Sequence, residues 1–165
     1  LTWVKVAVSL YQQAVCAVMT VLPILQLAAT PVVIDTDGDS FCLDPEQLES
    51  ELNNALAAII ACNMWGKPGT SETMLFLSKR FNVPLLEDAA QSFRSSTPCG
   101  QEGLKGHLGC FSAHEYKLLL IGESGFVSTN DTDLAERLRA FIRRGFDGNG
   151  YGNQFGVNYK HKLLG

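Results

Sequence analysis

Short β-branched apolar runs alternate with helix-length amphipathic stretches along most of this chain. No other feature constrains its fold as much. Strands separated by crossovers of that length pair side by side in the same direction, which is the organisation of an α/β sheet. The runs are "PVVID" at 31–35, "AAIIA" at 57–61, a third at 83–86, a fourth at 108–112 and a fifth at 125–129. Helix signals fall between them. Asp44 stands as N-cap with Pro45 at the first helical position and Gln47 closing a capping box, while Leu43 and Leu48 are spaced to staple across it. Thr70 or Ser71 opens a helix that carries Met74, Leu77 and Phe81 at helical spacing. The last helix runs from about Asp131 to Arg144, with acids at its start and Arg143 and Arg144 before Gly145.

The expected fold is therefore a three-layer αβα sandwich with a mostly parallel central sheet. With 165 residues, 46% of them hydrophobic and 18% charged, the chain has the apolar content of a folded domain rather than a disordered one. Residues 1–145 read as one layered unit, and 146–165, rich in Gly and Asn, as a loop leading into a further element. Leu1 in place of Met, and Gly165 on the rising edge of another element, lead to the expectation that the chain is a piece of something longer.

Several classes of function are excluded by the same reading. A net charge of -4 without any Lys/Arg run offers no phosphate track, so nucleic acid is not an expected partner. Cys16, Cys42, Cys62, Cys99 and Cys110 form an odd set without a C-x-x-C pair, and His107, His114 and His161 show no ligand spacing with them. The thiols read as reduced, the setting as cytoplasmic, and a metal site as absent. Residues 14–29, "AVCAVMTVLPILQLAA", are strongly apolar but short, and Thr20, Pro23 and Gln26 interrupt them. They read as a buried helix that kinks or ends near Pro23, not as a membrane span or signal peptide.

Ligands bind at the carboxyl ends of the strands in parallel α/β sheets. The third run delivers Glu87, Asp88 and Gln91 to that rim, and the fourth delivers Ser112, His114 and Lys117. A lysine there is a candidate for Schiff-base chemistry, because desolvation frees its amine to attack a carbonyl. The alternative is structural: Asp88 and Lys117 as an ion pair or as solvated loop residues, or Glu87 and Asp88 capping the next helix.

The succession "PVVIDTD", "FCLDPEQLE", "NMWGKP", "PLLEDAAQSF", "GCFSAHEYK", "GESGFVSTNDTDLAERLRAFIRRG" and "GVNYK" resembles the DegT/StrS family of sugar aminotransferases dependent on pyridoxal 5'-phosphate (PLP), over about 30–160. The resemblance implies the large domain of fold-type I aminotransferases, here incomplete. It implies amino transfer from glutamate or glutamine to a keto sugar nucleotide or related cyclic ketone, in a biosynthetic pathway. Lys117 matches the lysine that carries the cofactor as a Schiff base, and Asp88 the acid that pairs with its pyridinium nitrogen. Gln91 matches a residue on the ring's hydroxyl side, and Ser112 a serine bound to the cofactor phosphate. Trp3 looks like the aromatic that stacks on the ring. Asn158 matches an asparagine reaching the phosphate of the neighbouring subunit, which implies a homodimer with shared active sites.

The chain also departs from the family. "SAHEYK" replaces a usual Pro-Thr pair before the lysine, "GESGF" a turn with two adjacent glycines, and Lys160 a usual arginine. The phosphate-binding turn expected upstream of Leu1 and the small carboxy-terminal domain are not in this sequence. Residues 4–13 fit the family pattern poorly and read as a divergent or rearranged segment. The alternative function is a non-catalytic or regulatory relative of the same fold. A Rossmann-type nucleotide site is disfavoured because no G-x-G-x-x-G follows a strand.

Overall fold

Backbone pairing organises the chain around one sheet. The structure, a computed structural model, describes residues 5–9, 15–36, 43–52 and 56–142, with the backbone alone for 5–9 and 15–17. In chain order the first elements are β1 (Lys5–Ser9), α1 (Val15–Gln26), β2 (Thr30–Ile34), α2 (Pro45–Leu52) and β3 (Leu56–Cys62). A short 3-10 turn (Met64–Gly66), α3 (Glu72–Phe81) and β4 (Leu85–Asp88) follow. Then come the small hairpin β5 (Ser96–Thr97) and β6 (Gly100–Gln101), β7 (Leu108–Ser112), β8 (Gly125–Ser128) and α4 (Thr132–Ile142). The main sheet has the order β2-β1-β3-β4-β7-β8. It is parallel throughout except that β8 runs antiparallel to β7.

The step from β1 to β2 runs in one direction along the sheet and the step from β3 to β4 in the other. With right-handed crossovers this puts α1 on one face and α3 on the opposite face. The packing agrees. Ile34, Leu48, Leu52, Ile59, Ala61, Met74, Leu77 and Leu85 form one buried cluster beneath α2 and α3. Ile24 and Ala29 pack with Val21 and Ile60 on the α1 face. Three layers result, as expected. No helix among the described residues is long and apolar enough to cross a membrane.

Local chemistry sets the element ends, sometimes differently from the sequence expectation. Ser71 caps α3 by accepting from the Met74 amide at 3.2 Å, and Asp131 caps α4 by accepting from Leu134 at 2.9 Å. Asp44 caps α2 through the amides of Glu46 and Gln47. The capping box does not close, however. The Asp44 amide donates to the Asp35 carbonyl, so Gln47 turns instead to the Asp35 amide at 3.3 Å. Nor does α1 end at Pro23; it continues to Gln26, the cost being the one helix bond that proline cannot donate.

The third run begins later than expected. Asn82 takes the left-handed conformation at the end of α3, and the Val83 amide bonds the Ser78 carbonyl. Val83 thus serves the helix end, and the strand occupies Leu85–Asp88. Glu87 and Asp88 are its last two residues rather than the loop after it. The largest departure is β1, which lies within the segment that fitted the family pattern poorly and pairs with both β2 and β3.

Candidate functional site

The register of three neighbouring strands lines up Cys62, Asp88 and Cys110 at the carboxyl edge of the sheet. Side chains in register on parallel strands share a face, and here it is the α1 face. Thr20, buried on α1, confirms it by donating its hydroxyl to Asp88 Oδ2 at 2.7 Å. The other oxygen, Oδ1, accepts from the Ala90 amide at 3.2 Å. The Ala89 amide bonds the Cys110 carbonyl at 2.8 Å, tying the start of the following loop to β7. Burial, and then the charge of Asp88, push the Cys110 thiol up to about 11, so it stands beside the carboxylate as a neutral group.

Beyond this edge lies a cavity of about 340 Å³, lined by Ala90, Gln91, Phe93, Ser112, Tyr116, Lys117 and Leu118. Three of the expected site residues, Gln91, Ser112 and Lys117, therefore meet at one cavity. Asp88 is not in its wall but lies two residues from Ala90, which is. Gln91 Oε1 accepts from the Trp65 amide at 3.1 Å, and Trp65 itself stands in the left-handed region at φ 53°. Ser112 ends β7 and accepts from the His114 amide at 3.3 Å. A turn closed by the Lys117 amide on the His114 carbonyl carries the lysine, which is half-buried. The expected residues Trp3 and Asn158 lie outside the described residues.

The ion-pair alternative finds no support. Among the described residues the salt bridges are Arg80–Glu49 and Lys105–Glu102, so Asp88 and Lys117 are not paired. Among the described residues, Asp88 is held by two neutral donors, the Thr20 hydroxyl and the Ala90 amide. An amine, an amide and a hydroxyl at one cavity, with a carboxylate two residues from its wall, are the kinds of group that the carbonyl, ring hydroxyl, phosphate and pyridinium of PLP would need. The donor set fits that cofactor.

Glu87 has a different task from the one its place on the rim suggested. It is fully buried. Its carboxylate accepts from the amides of Gly103 (2.8 Å), Lys105 (2.7 Å) and Gly106 (2.6 Å) and from the Thr70 hydroxyl (3.2 Å). It also adjoins the buried Glu102–Lys105 pair. Burial raises the Glu102 pKa, against the opposing effect of Lys105. The sequence offers Glu87 as a rim residue or as the cap of a helix, but turns rather than a helix follow β4. Thr20 showed only as a hydroxyl interrupting an apolar run.

The profile of the DegT/DnrJ/EryC1/StrS aminotransferase family matches residues 14–163. GDP-perosamine synthase from Caulobacter vibrioides is 32% identical over 121 residues, which are 73% of this chain and 33% of that protein. UDP-2-acetamido-2-deoxy-3-oxo-D-glucuronate aminotransferase from Pseudomonas aeruginosa is 31% identical over 148 residues, 89% of this chain and 41% of that protein. Among solved structures, S. venezuelae DesV in complex with a ketimine intermediate superposes with a TM-score of 0.82 at 27% identity, over 94% of this chain and 41% of that one. A DegT DnrJ EryC1 StrS aminotransferase from Brucella abortus gives 0.81 at 27% identity, over 94% and 43%. The chain thus spans about a third to two fifths of the length of these relatives.

Proposed function

Since the chain belongs to the DegT/DnrJ/EryC1/StrS aminotransferase family, we propose that the whole protein is a PLP-dependent aminotransferase acting on a keto sugar nucleotide or related cyclic ketone, with glutamate or glutamine as donor, in a biosynthetic pathway. The observation that carries this reading is the meeting of Gln91, Ser112 and Lys117 at one cavity beside Asp88, which has no ionic partner among the described residues. The sugars in the names of the C. vibrioides and P. aeruginosa relatives support the substrate class.

When bound, PLP supplies an electrophilic carbonyl carbon and a protonated ring able to accept the electron pair left when a substrate carbon loses its proton. The residues divide the remaining work. Lys117 Nζ would hold the cofactor at that carbonyl carbon, and its amine would be the base that moves the proton at the substrate carbon. Asp88 would keep a proton on the ring nitrogen, on which the electron demand of the ring depends. Gln91 would serve the ring hydroxyl and Ser112 the phosphate. The family resemblance assigns Trp3 to the ring face and Asn158 to the phosphate of the neighbouring subunit, in a cytoplasmic homodimer.

The test uses the full-length protein. Purified with PLP it develops a visible absorption band, and borohydride fixes the cofactor to the peptide containing Lys117. Lys117→Ala shows no fixation. A full-length protein that takes up no PLP overturns the reading in favour of a non-catalytic relative.

A further inference from the structure

We propose that Thr20 is a positioning residue for Asp88, fixing from α1 the orientation in which the carboxylate meets the cofactor ring. The proposal rests on the reading of Asp88 given above and adds to it a residue from a different element.

Thr20 lies in an apolar helix whose Val18, Met19, Leu22 and Leu25 are exposed, yet it is itself buried against the sheet. At 2.7 Å from Asp88 Oδ2 its hydroxyl makes a short contact across 68 positions of sequence. An ionised carboxylate only accepts, so the proton in this contact belongs to Thr20. The Cys62 thiol approaches the same hydroxyl oxygen at 3.5 Å. Cys62, Thr20 and Asp88 thus form a chain of contacts ending on the carboxylate. Asp88 Oδ1 is held by the Ala90 amide of its own loop. With one oxygen tied to the helix and the other to the loop, rotation about the side chain's last bond is stopped from both sides.

The chemical nature of these anchors matters as much as their position. A lysine or arginine in place of Thr20 would orient Asp88 equally well but would neutralise it, and the carboxylate would then have little charge left for a ring nitrogen. A hydroxyl orients without neutralising. The thiols on either side in register, Cys62 and Cys110, add bulk without a positive charge. A hydrogen bond to a charged acceptor is directional and stronger than a neutral one. Its loss frees the carboxylate to turn while leaving its charge in place.

The experiment compares full-length wild type with Thr20→Val, Thr20→Ser, Asp88→Asn and the double variant Thr20→Val/Asp88→Asn. Two quantities are read: the dissociation constant for PLP and the visible circular dichroism of the bound cofactor, which reports ring orientation. Thr20→Val is expected to weaken PLP binding about 10-fold, the worth of one charge-assisted hydrogen bond, and to change the dichroism. Thr20→Ser restores both. In the Asp88→Asn background the valine adds nothing. Thr20→Ala replaces Thr20→Val if the valine variant does not fold. Wild-type affinity and dichroism in Thr20→Val, with Asp88→Asn impaired, overturn the proposal and leave the reading of Asp88 standing. A valine effect that persists undiminished in the double variant also overturns it, because the role is then structural. If Asp88→Asn itself changes neither quantity, the reading of Asp88 fails and the proposal falls with it.

Discussion

Glu87 and Asp88 are consecutive residues at the end of β4 whose side chains serve opposite faces of the sheet. Glu87 reaches Thr70 and the 103–106 loop, while Asp88 reaches Thr20 on α1. The alternation of a strand makes this separation automatic. It lets one carboxylate hold the rim together while the next faces α1 and accepts from two neutral donors.

Glu87→Ala is expected to be among the most destabilising single changes in the chain. It leaves three loop amides and a hydroxyl without their acceptor in a buried setting, at about 3 to 5 kcal/mol. Asp88→Asn, on the same strand, shifts stability by less than about 1 kcal/mol, since its anchors are two neutral donors. Urea unfolding midpoints of the two variants measure the contrast.

Ala28 ends α1 in the left-handed region at φ 53°. The Ala29 amide bonds the Ile24 carbonyl and the Ala28 amide bonds Leu25, a Schellman closure in which glycine is the usual residue. Ala28→Gly removes the Cβ strain and is expected to stabilise the protein by about 1 kcal/mol. A thermal midpoint raised by a few degrees, with unchanged PLP uptake, is the expected result.

A Cβ on Gly109 would overlap the carbonyl of Gly103, which is backbone and cannot swing aside. Gly109→Ala therefore pushes β7 away from the loop that Glu87 holds, at a cost of about 3 kcal/mol. Its effect on PLP uptake should exceed that of Ala28→Gly, because Ser112 and the Lys117 turn follow directly from β7. Uptake and unfolding measured on both variants settle the comparison.

Thiol chemistry supplies a pH test. Cys110 loses its proton near its ordinary value of about 9 when unfolded and only at about 11 when folded. Its contribution to stability is therefore complete below pH 9 and disappears as pH rises through 11, a loss of about 2 to 3 kcal/mol. Cys110→Ala should flatten the decline in unfolding free energy between those limits. At pH 8, alkylation followed by peptide mass analysis should mark the exposed Cys99 well before Cys62 or Cys110.

Elements whose signals are local were legible in the sequence. β7 occupies the expected residues, and Asp44, Ser71 and Asp131 cap the expected helices. The meeting of Gln91, Ser112 and Lys117 at one cavity was legible because Ser112 ends an apolar strand, the other two follow one, and the rim of a parallel sheet gathers such residues. What escaped depends on distant partners. Gln47 has the right spacing for a capping box but answers to Asp35. Ala28 occupies a conformation that composition assigns to glycine. Thr20 looked like an interruption of an apolar helix, because its partner is 68 positions away.

β1 was the hardest element to read, and it has consequences for how the chain assembles. Among the described residues β2 joins the main sheet only through β1, and β1 meets β3 at Lys5↔Leu56, a separation of 51 positions (56 − 5). Until β3 has been made, one edge of β1 has no partner and remains open to pairing with another chain. Closing so long a loop is slow compared with forming α3 or α4. The yield of folded protein should thus be set by how long that open edge survives. Mutations in β1 would then act on assembly before they act on any finished contact.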